Sequence, residues 1–298
     1  MLEHLTTEAR NPASEELDGL SSAKIAELIN AEDCKVATAV GEQNENISKA
    51  IDAIASRLRA GGRLVYIGAG TSGRLGILDA AECPPTFNSD PAQVLGIIAG
   101  GPKAMLRAVE GAEDSEEMAV EDLKEIHLSS QDALVGIATS GRTPYVLGAL
   151  DYARSLGAYS IGLSCNRDAV LIARADLSII PVVGPEVVSG STRMKAGTAT
   201  KMVLNMLSTG AMVGLGKTYG NLMVDMRATN SKLAERAKRI VCSLTDLTSD
   251  QAESLLNRCD GELKTAIVSQ RLRKDPAEAR LRLKASSGHL KKALGNNS

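Results

Sequence analysis

Arg63-Leu64-Val65-Tyr66-Ile67-Gly68-Ala69-Gly70-Thr71-Ser72-Gly73 is a short apolar run that passes straight into a glycine-rich polar turn. A β-rich run of this length, stopped by a turn and followed by helical spacing, opens a strand–helix unit. Four more such runs follow, at residues 93–98, 132–138, 158–163 and 176–182, mostly with helical stretches between them. Alternation of this kind predicts a parallel sheet with helices on both faces. The run at 132–138 ends in a second polar turn, Ala138-Thr139-Ser140-Gly141-Arg142-Thr143. In the flavodoxin-like order 2-1-3-4-5 the first and third strands are neighbours, so both turns face one crevice outside the carboxyl ends of the sheet. The expected fold class is α/β: a five-stranded parallel sheet flanked by helices, with N-terminal helices before it and a small helical domain after it.

Working outward, residues 21–59 read as two helices, the second from about residue 42 with Ile47, Ile51, Ile54 and Leu58 at helical spacing and Gly61-Gly62 as its stop. After Lys195 the pattern turns helical. Residues 231–298 carry 14 basic and 8 acidic side chains, and Thr229-Asn230-Ser231 is a helix start signal. Three regions are expected: an N-terminal helical segment (1–60), a central domain built on the sheet (61–229) and a C-terminal domain (230–298). In the last, Leu247, Leu255, Leu256, Leu263, Ala266 and Ile267 suggest a three-helix module similar to a ubiquitin-associated fold.

Composition removes several function classes. Of 298 residues, 2% are aromatic and none is Trp, so no base-stacking platform is available. A net charge of −2 leaves no overall basic field for nucleic acid or anionic membranes. The first residues include early acidic groups and no apolar run of signal-peptide length, which predicts a cytoplasmic protein. No apolar stretch approaches the length of a membrane span. The five cysteines are scattered without a C-x-x-C pair and the three histidines stand apart. Neither a disulfide framework, a metal site nor a histidine-based triad is expected.

Residues 68–73 match G-x-G-x-x-G, but the acidic residue that would end the second strand of a dinucleotide site is replaced by Ala99-Gly100-Gly101. Thr71, Ser72 and Gly73 suit a different task, in which backbone N–H groups and hydroxyls converge on one phosphate at a helix N-terminus. Gly214-Leu215-Gly216-Lys217-Thr218 imitates the end of a P-loop, but it lies in a helical region rather than after a strand. The most distinctive stretch is Gly184-Pro185-Glu186-Val187-Val188-Ser189-Gly190-Ser191-Thr192-Arg193-Met194-Lys195-Ala196-Gly197-Thr198-Ala199-Thr200-Lys201, followed by Asn205. Its hydroxyls and cations around a turn that enters a helix suit a phosphorylated polar ligand.

That stretch resembles a signature of the bacterial N-acetylmuramic acid 6-phosphate etherases and the glucokinase regulatory proteins, within the sugar isomerase (SIS) superfamily. Resemblance to the etherases extends over nearly the whole chain. It takes in residues 5–12, the turn at 68–76, Asp79-Ala80-Ala81-Glu82-Cys83-Pro84-Pro85-Thr86-Phe87, Val109-Glu110-Gly111-Ala112-Glu113-Asp114 and residues 138–144. The resemblance implies a homodimer that cleaves the lactyl ether of a phosphorylated amino sugar without a cofactor, in cell-wall recycling. It also selects Glu82 as acid and Glu113 as base. From sequence alone, Glu82 reads as a surface residue at the end of the first crossover helix, and Glu113 as part of a solvated acidic helix start.

The chemistry needs two such groups: a base to take the C2 proton of the ring-opened sugar and an acid to protonate the oxygen leaving C3. By position, Thr71, Ser72, Ser140, Gly141, Thr143, Ser189, Ser191 and Thr192 are candidate phosphate contacts, although some of the hydroxyls can equally cap helices. Glu186 either accepts from sugar hydroxyls or neutralises Arg193. Arg142, Arg193 and Lys195 are unranked candidates for the lactyl carboxylate. A sugar-phosphate isomerase and a non-catalytic sugar-phosphate sensor of the same superfamily remain as alternatives. The sensors resemble a duplicated SIS arrangement, which one copy in this chain length does not match.

Overall fold

In the computed structural model, which describes residues 5–226 and 231–295, the chain divides into two units. One comprises Met1–Ala81 with Pro91–Ser208, the other Glu82–Asp90 with Thr209–Ser298. In chain order come α1 (Ser22–Gly41), α2 (Asn44–Arg59), β1 (Leu64–Gly68), α3 (Gly70–Phe87), β2 (Val94–Ile98), α4 (Glu116–Glu125), β3 (Ala133–Ile137), α5 (Pro144–Ser155), β4 (Tyr159–Leu163), β5 (Leu177–Ile179) and α6 (Lys195–Gly214), the last residues of α3 and α6 falling in the second unit. All five strands are parallel in the order β2-β1-β3-β4-β5. This is the expected α/β sheet, and it places the ends of β1 and β3 side by side.

β1 and β3 are buried throughout, as central parallel strands covered on both faces must be. Val65, Ile67 and Leu134 pack with Tyr145, Val146, Leu150 and Leu123 in one core. At the opposite end from the turns, the buried Asp132 carboxylate accepts from the Arg63 backbone N–H at 2.8 Å and from the Arg63 guanidinium at 2.8 Å. That pair aligns the starts of β1 and β3. The N-terminal helices are not a separate segment: α2 packs on β3 and β5, and Gln43 accepts from the Ile180 backbone N–H at 3.0 Å.

Two expectations change. The first crossover helix does not stop at Glu82 but runs through Pro84 and Pro85 to Phe87. Each proline lacks the N–H that would bond to the preceding turn, but the Asn88 N–H still closes onto the Pro84 carbonyl at 2.9 Å. The C-terminal segment is also richer than three helices: α7 (Ser231–Thr245), α8 (Ser249–Arg258), α9 (Leu263–Leu272), α10 (Pro276–Ala285) and α11 (Leu290–Ala293) share one apolar core. A two-stranded ribbon, β6 (Thr218–Tyr219) and β7 (Leu222–Met223), precedes them. The start signal at Thr229-Asn230 lies outside the described residues, and α7 begins at Ser231. Among the described residues no helix is long and apolar enough to cross a membrane.

Candidate active site

A cavity of about 400 Å³ opens where β1 and β3 end. Thr71 and Ser72 line it from the first turn of α3, where backbone N–H groups lack intrahelical acceptors and the helix dipole favours an anion. Gly70 starts that helix at φ +53°. Gly73, in contrast, serves packing: a Cβ there would stand 2.6 Å from the Gly68 carbonyl oxygen and 2.6 Å from Ile98 Cγ1. It does not line the cavity.

The second turn contributes Thr139, Ser140, Arg142 and Thr143. The Ser140 hydroxyl accepts from the Arg142 N–H at 3.2 Å. Gly141 holds φ +69°, and a Cβ there would come within 2.2 Å of Ala169 Cβ. This glycine shapes the turn and is not among the residues lining the cavity. Thr143 is the N-cap of α5, yet its side chain makes no capping bond, and it faces the cavity instead.

Of the 184–205 stretch, Gly190 and Thr192 reach the cavity. Exposed Ser189 and half-buried Ser191 do not line it, and the Ser189 hydroxyl donates to the Ala9 carbonyl at 3.4 Å. Exposed Arg193 does not line it either. Two assignments are corrected here. Glu186 is 0% exposed, and its two carboxylate oxygens accept from the Lys195 and Ala196 backbone N–H groups, each at 2.9 Å. It therefore caps the N-terminus of α6 rather than reading sugar hydroxyls or neutralising Arg193. The Lys195 side chain is 1% exposed and donates to Glu32 at 2.6 Å, so it is not available to a lactyl carboxylate. Asn205 is likewise structural, donating to Asp79 at 2.6 Å. Burial, reinforced by Glu186, pushes the neighbouring Cys165 thiol up to about 12, which removes it as a nucleophile.

Glu113 belongs to the cavity wall. It sits in a 3-10 turn, Ala112–Asp114, just before α4, with its neighbour Asp114 also on the wall. Glu82 is exposed on the far half of α3 and is not among the residues lining this cavity. Leu5 and Glu8 are cavity residues that the sequence did not single out. They arrive on an N-terminal strap fixed by Thr7, which is 0% exposed. Asn166 donates to the Thr7 hydroxyl at 3.2 Å and to the Thr139 carbonyl at 2.7 Å, and the Gly190 N–H donates to the Thr7 carbonyl at 3.2 Å. One asparagine thus ties strap and second turn together. The opening Leu5-Thr6-Thr7-Glu8 motif was the only sequence signal for Glu8.

Comparison with known proteins bears on these same segments. Residues 46–154 match the family model of the glucokinase regulatory protein N-terminal SIS domain. The N-acetylmuramic acid 6-phosphate etherase of Rhodopirellula baltica is 59% identical to the chain over 297 residues, spanning 100% of it and 98% of the relative. The etherase of Clostridium beijerinckii is 54% identical, spanning 98% of the chain and 96% of the relative. Among solved structures, a phosphoheptose isomerase from Francisella tularensis covers 65% of the chain and 100% of its own at 18% identity, with a TM-score of 0.48.

Proposed function

The chain belongs to the N-acetylmuramic acid 6-phosphate etherase family, and from that premise we propose that it cleaves the D-lactyl ether of N-acetylmuramic acid 6-phosphate in the cytoplasmic recycling of peptidoglycan. The products are N-acetylglucosamine 6-phosphate and D-lactate. One observation carries the assignment to this cavity: a helix N-terminus, the hydroxyls of Thr71, Ser72, Ser140, Thr143 and Thr192, and the Glu113 carboxylate all open on the same 400 Å³ space. The phosphate takes the helix end and the hydroxyls. Glu113 removes the C2 proton of the ring-opened sugar, and the electron pair left on C2 expels the oxygen from C3 as an acid protonates it. Water then adds to C3 of the double bond and C2 regains a proton. Neither step changes a redox state. Incubation with N-acetylmuramic acid 6-phosphate and an assay for D-lactate tests the function. Lactate release supports it, and conversion of the sugar phosphate to a ketose without lactate favours an isomerase.

Ser72→Ala and Ser140→Ala are each expected to weaken sugar-phosphate binding by about 1.5–3 kcal/mol, the range for a hydrogen bond to a charged group. Calorimetry with N-acetylglucosamine 6-phosphate measures it, and unchanged affinity in both variants removes the phosphate from these turns.

Glu82 supports a homodimer. It lies twelve residues beyond Gly70 on α3, about 18 Å along the helix at 1.5 Å per residue, whereas acid and base must act on neighbouring atoms of one sugar. A second subunit that brings its Glu82 to the cavity meets that requirement. Light scattering is expected to give twice the 31.2 kDa chain mass. Mixing Glu82→Gln with Glu113→Gln subunits is expected to restore activity to hybrid dimers; a stable active monomer contradicts the arrangement.

A further inference from the structure

Glu113 has a chamber on each side. Next to the main cavity lies a smaller one of about 210 Å³, walled by Ala99, Ala104, Ala108 and Val109 together with Arg74 and the carboxylates Glu110 and Glu113. Ala69, Gly70 and Glu113 border both spaces. The small chamber sets small apolar side chains beside one guanidinium and two carboxylates, and that guanidinium is already oriented. Arg74 projects from the first turns of α3, and its Nε–H donates to the Met105 carbonyl at 3.1 Å and Nη2–H to the Ala104 carbonyl at 2.8 Å. Those two bonds fix the plane of the fork. Among the described residues, Nη1 has no hydrogen-bond acceptor and no carboxylate forms an ion pair with Arg74. A fixed, half-buried guanidinium with a donor to spare is suited to an incoming carboxylate.

Resting on the etherase function proposed above, we infer that this side chamber holds the lactyl arm of the substrate, with Arg74 binding its carboxylate and the Ala104, Ala108 and Val109 side enclosing its methyl group. The lactyl arm consists of one methyl and one carboxylate on a single carbon, which the apolar side and the Arg74 guanidinium of the chamber complement. Its position on the sugar agrees: the ether oxygen is on C3, one carbon from the C2 proton that faces Glu113, so the arm leaves the ring beside Glu113 while the phosphate stays in the main cavity. The other cations are placed differently. Lys195 is committed to Glu32, Arg193 lines neither space, and Arg142 lines the main cavity beside Ser140 and Thr143.

The test compares substrate with the product that lacks the arm. For wild type, Arg74→Met and Ala108→Leu, lactate release gives KM and kcat for N-acetylmuramic acid 6-phosphate, and calorimetry gives Kd for N-acetylglucosamine 6-phosphate. Ala108 is exposed, so the larger side chain narrows the chamber without entering the core. Arg74→Met is expected to raise KM by about ten- to a hundredfold, the value of one charged hydrogen bond, and to abolish inhibition by added D-lactate. Ala108→Leu is expected to raise KM as well, and both variants keep the wild-type Kd for N-acetylglucosamine 6-phosphate. If both variants weaken the product as much as the substrate, the chamber belongs to the acetamido group or serves only the loop, and the inference is overturned. Unchanged KM in both overturns it too. A wild type that releases no lactate overturns the etherase function itself, which is a separate and distinguishable result.

Discussion

Glu113→Gln is expected to lose at least about a hundredfold in lactate release, the lower end of what a positioned acid or base contributes, and to lose exchange of the C2 proton with heavy water to the same degree. The expectation follows from its place on the wall shared by the two chambers, where no other step can proceed until C2 is deprotonated. Glu82→Gln separates the roles. An acid on the departing oxygen acts after deprotonation, so this variant keeps C2 exchange in the unreacted substrate while lactate release falls by a similar factor. Proton NMR in heavy water reads both quantities in one tube. Exchange lost in Glu82→Gln and kept in Glu113→Gln would reverse the roles, and full activity in both variants would move the chemistry elsewhere.

The second large effect is on stability. Lys195→Met is expected to destabilise the fold by about 3–5 kcal/mol, because removing one member of a buried pair leaves the other charge poorly compensated. Lys195 donates to Glu32 at 2.6 Å with both side chains nearly inaccessible. Asn11 also donates to Glu32 at 3.0 Å and to the Pro185 carbonyl at 3.2 Å, so the pair links α1, the N-terminal strap and the start of α6. Adding Glu32→Gln to Lys195→Met is expected to recover much of the loss, a non-additivity that urea unfolding of the two single variants and the double one measures. The same group sets a pH dependence. Burial raises the Glu32 pKa, but hydrogen bonds from Lys195, Lys35 and Asn11 outweigh it and hold the carboxyl at about 2, below its ordinary 4.5. A lowered folded-state value means that its stabilisation is complete above about 4.5 and is lost as the pH falls towards about 2. Lys195→Met should therefore flatten the acid limb of the wild-type stability curve.

Glycine-rich turns after apolar runs were enough to locate the sheet, its strand order and the cavity, because β1 and β3 each carry their own turn in continuous sequence. Glu186 and Lys195 were misjudged for the opposite reason. They stand among hydroxyls and an exposed arginine in the sequence, but Glu186 caps the start of α6 nine and ten residues on, and Lys195 pairs with Glu32, 163 residues away. Long-range burial leaves no local trace in composition. Arg74 escaped notice because an arginine four residues into a helix reads as solvated, and only the fold of residues 102–105 against it makes it a fixed donor. Glu8 sits in a motif that could be quoted but not explained until Thr7 and Asn166 fixed the strap. Glu82 shows the reverse limit: its exposure agrees with the plain reading of a surface carboxylate, and only the resemblance to the etherases proposes a task for it.

Elimination followed by addition of water breaks the bond between C3 of the sugar and the ether oxygen. Turnover of N-acetylmuramic acid 6-phosphate by the wild-type protein in water enriched in oxygen-18, with both products analysed by mass spectrometry, tests this directly. The heavy oxygen is expected in the C3 hydroxyl of N-acetylglucosamine 6-phosphate, with D-lactate retaining the original ether oxygen unlabelled. Label in the lactate hydroxyl, with none at C3, would mean that the bond on the lactyl side is cleaved and would contradict the account.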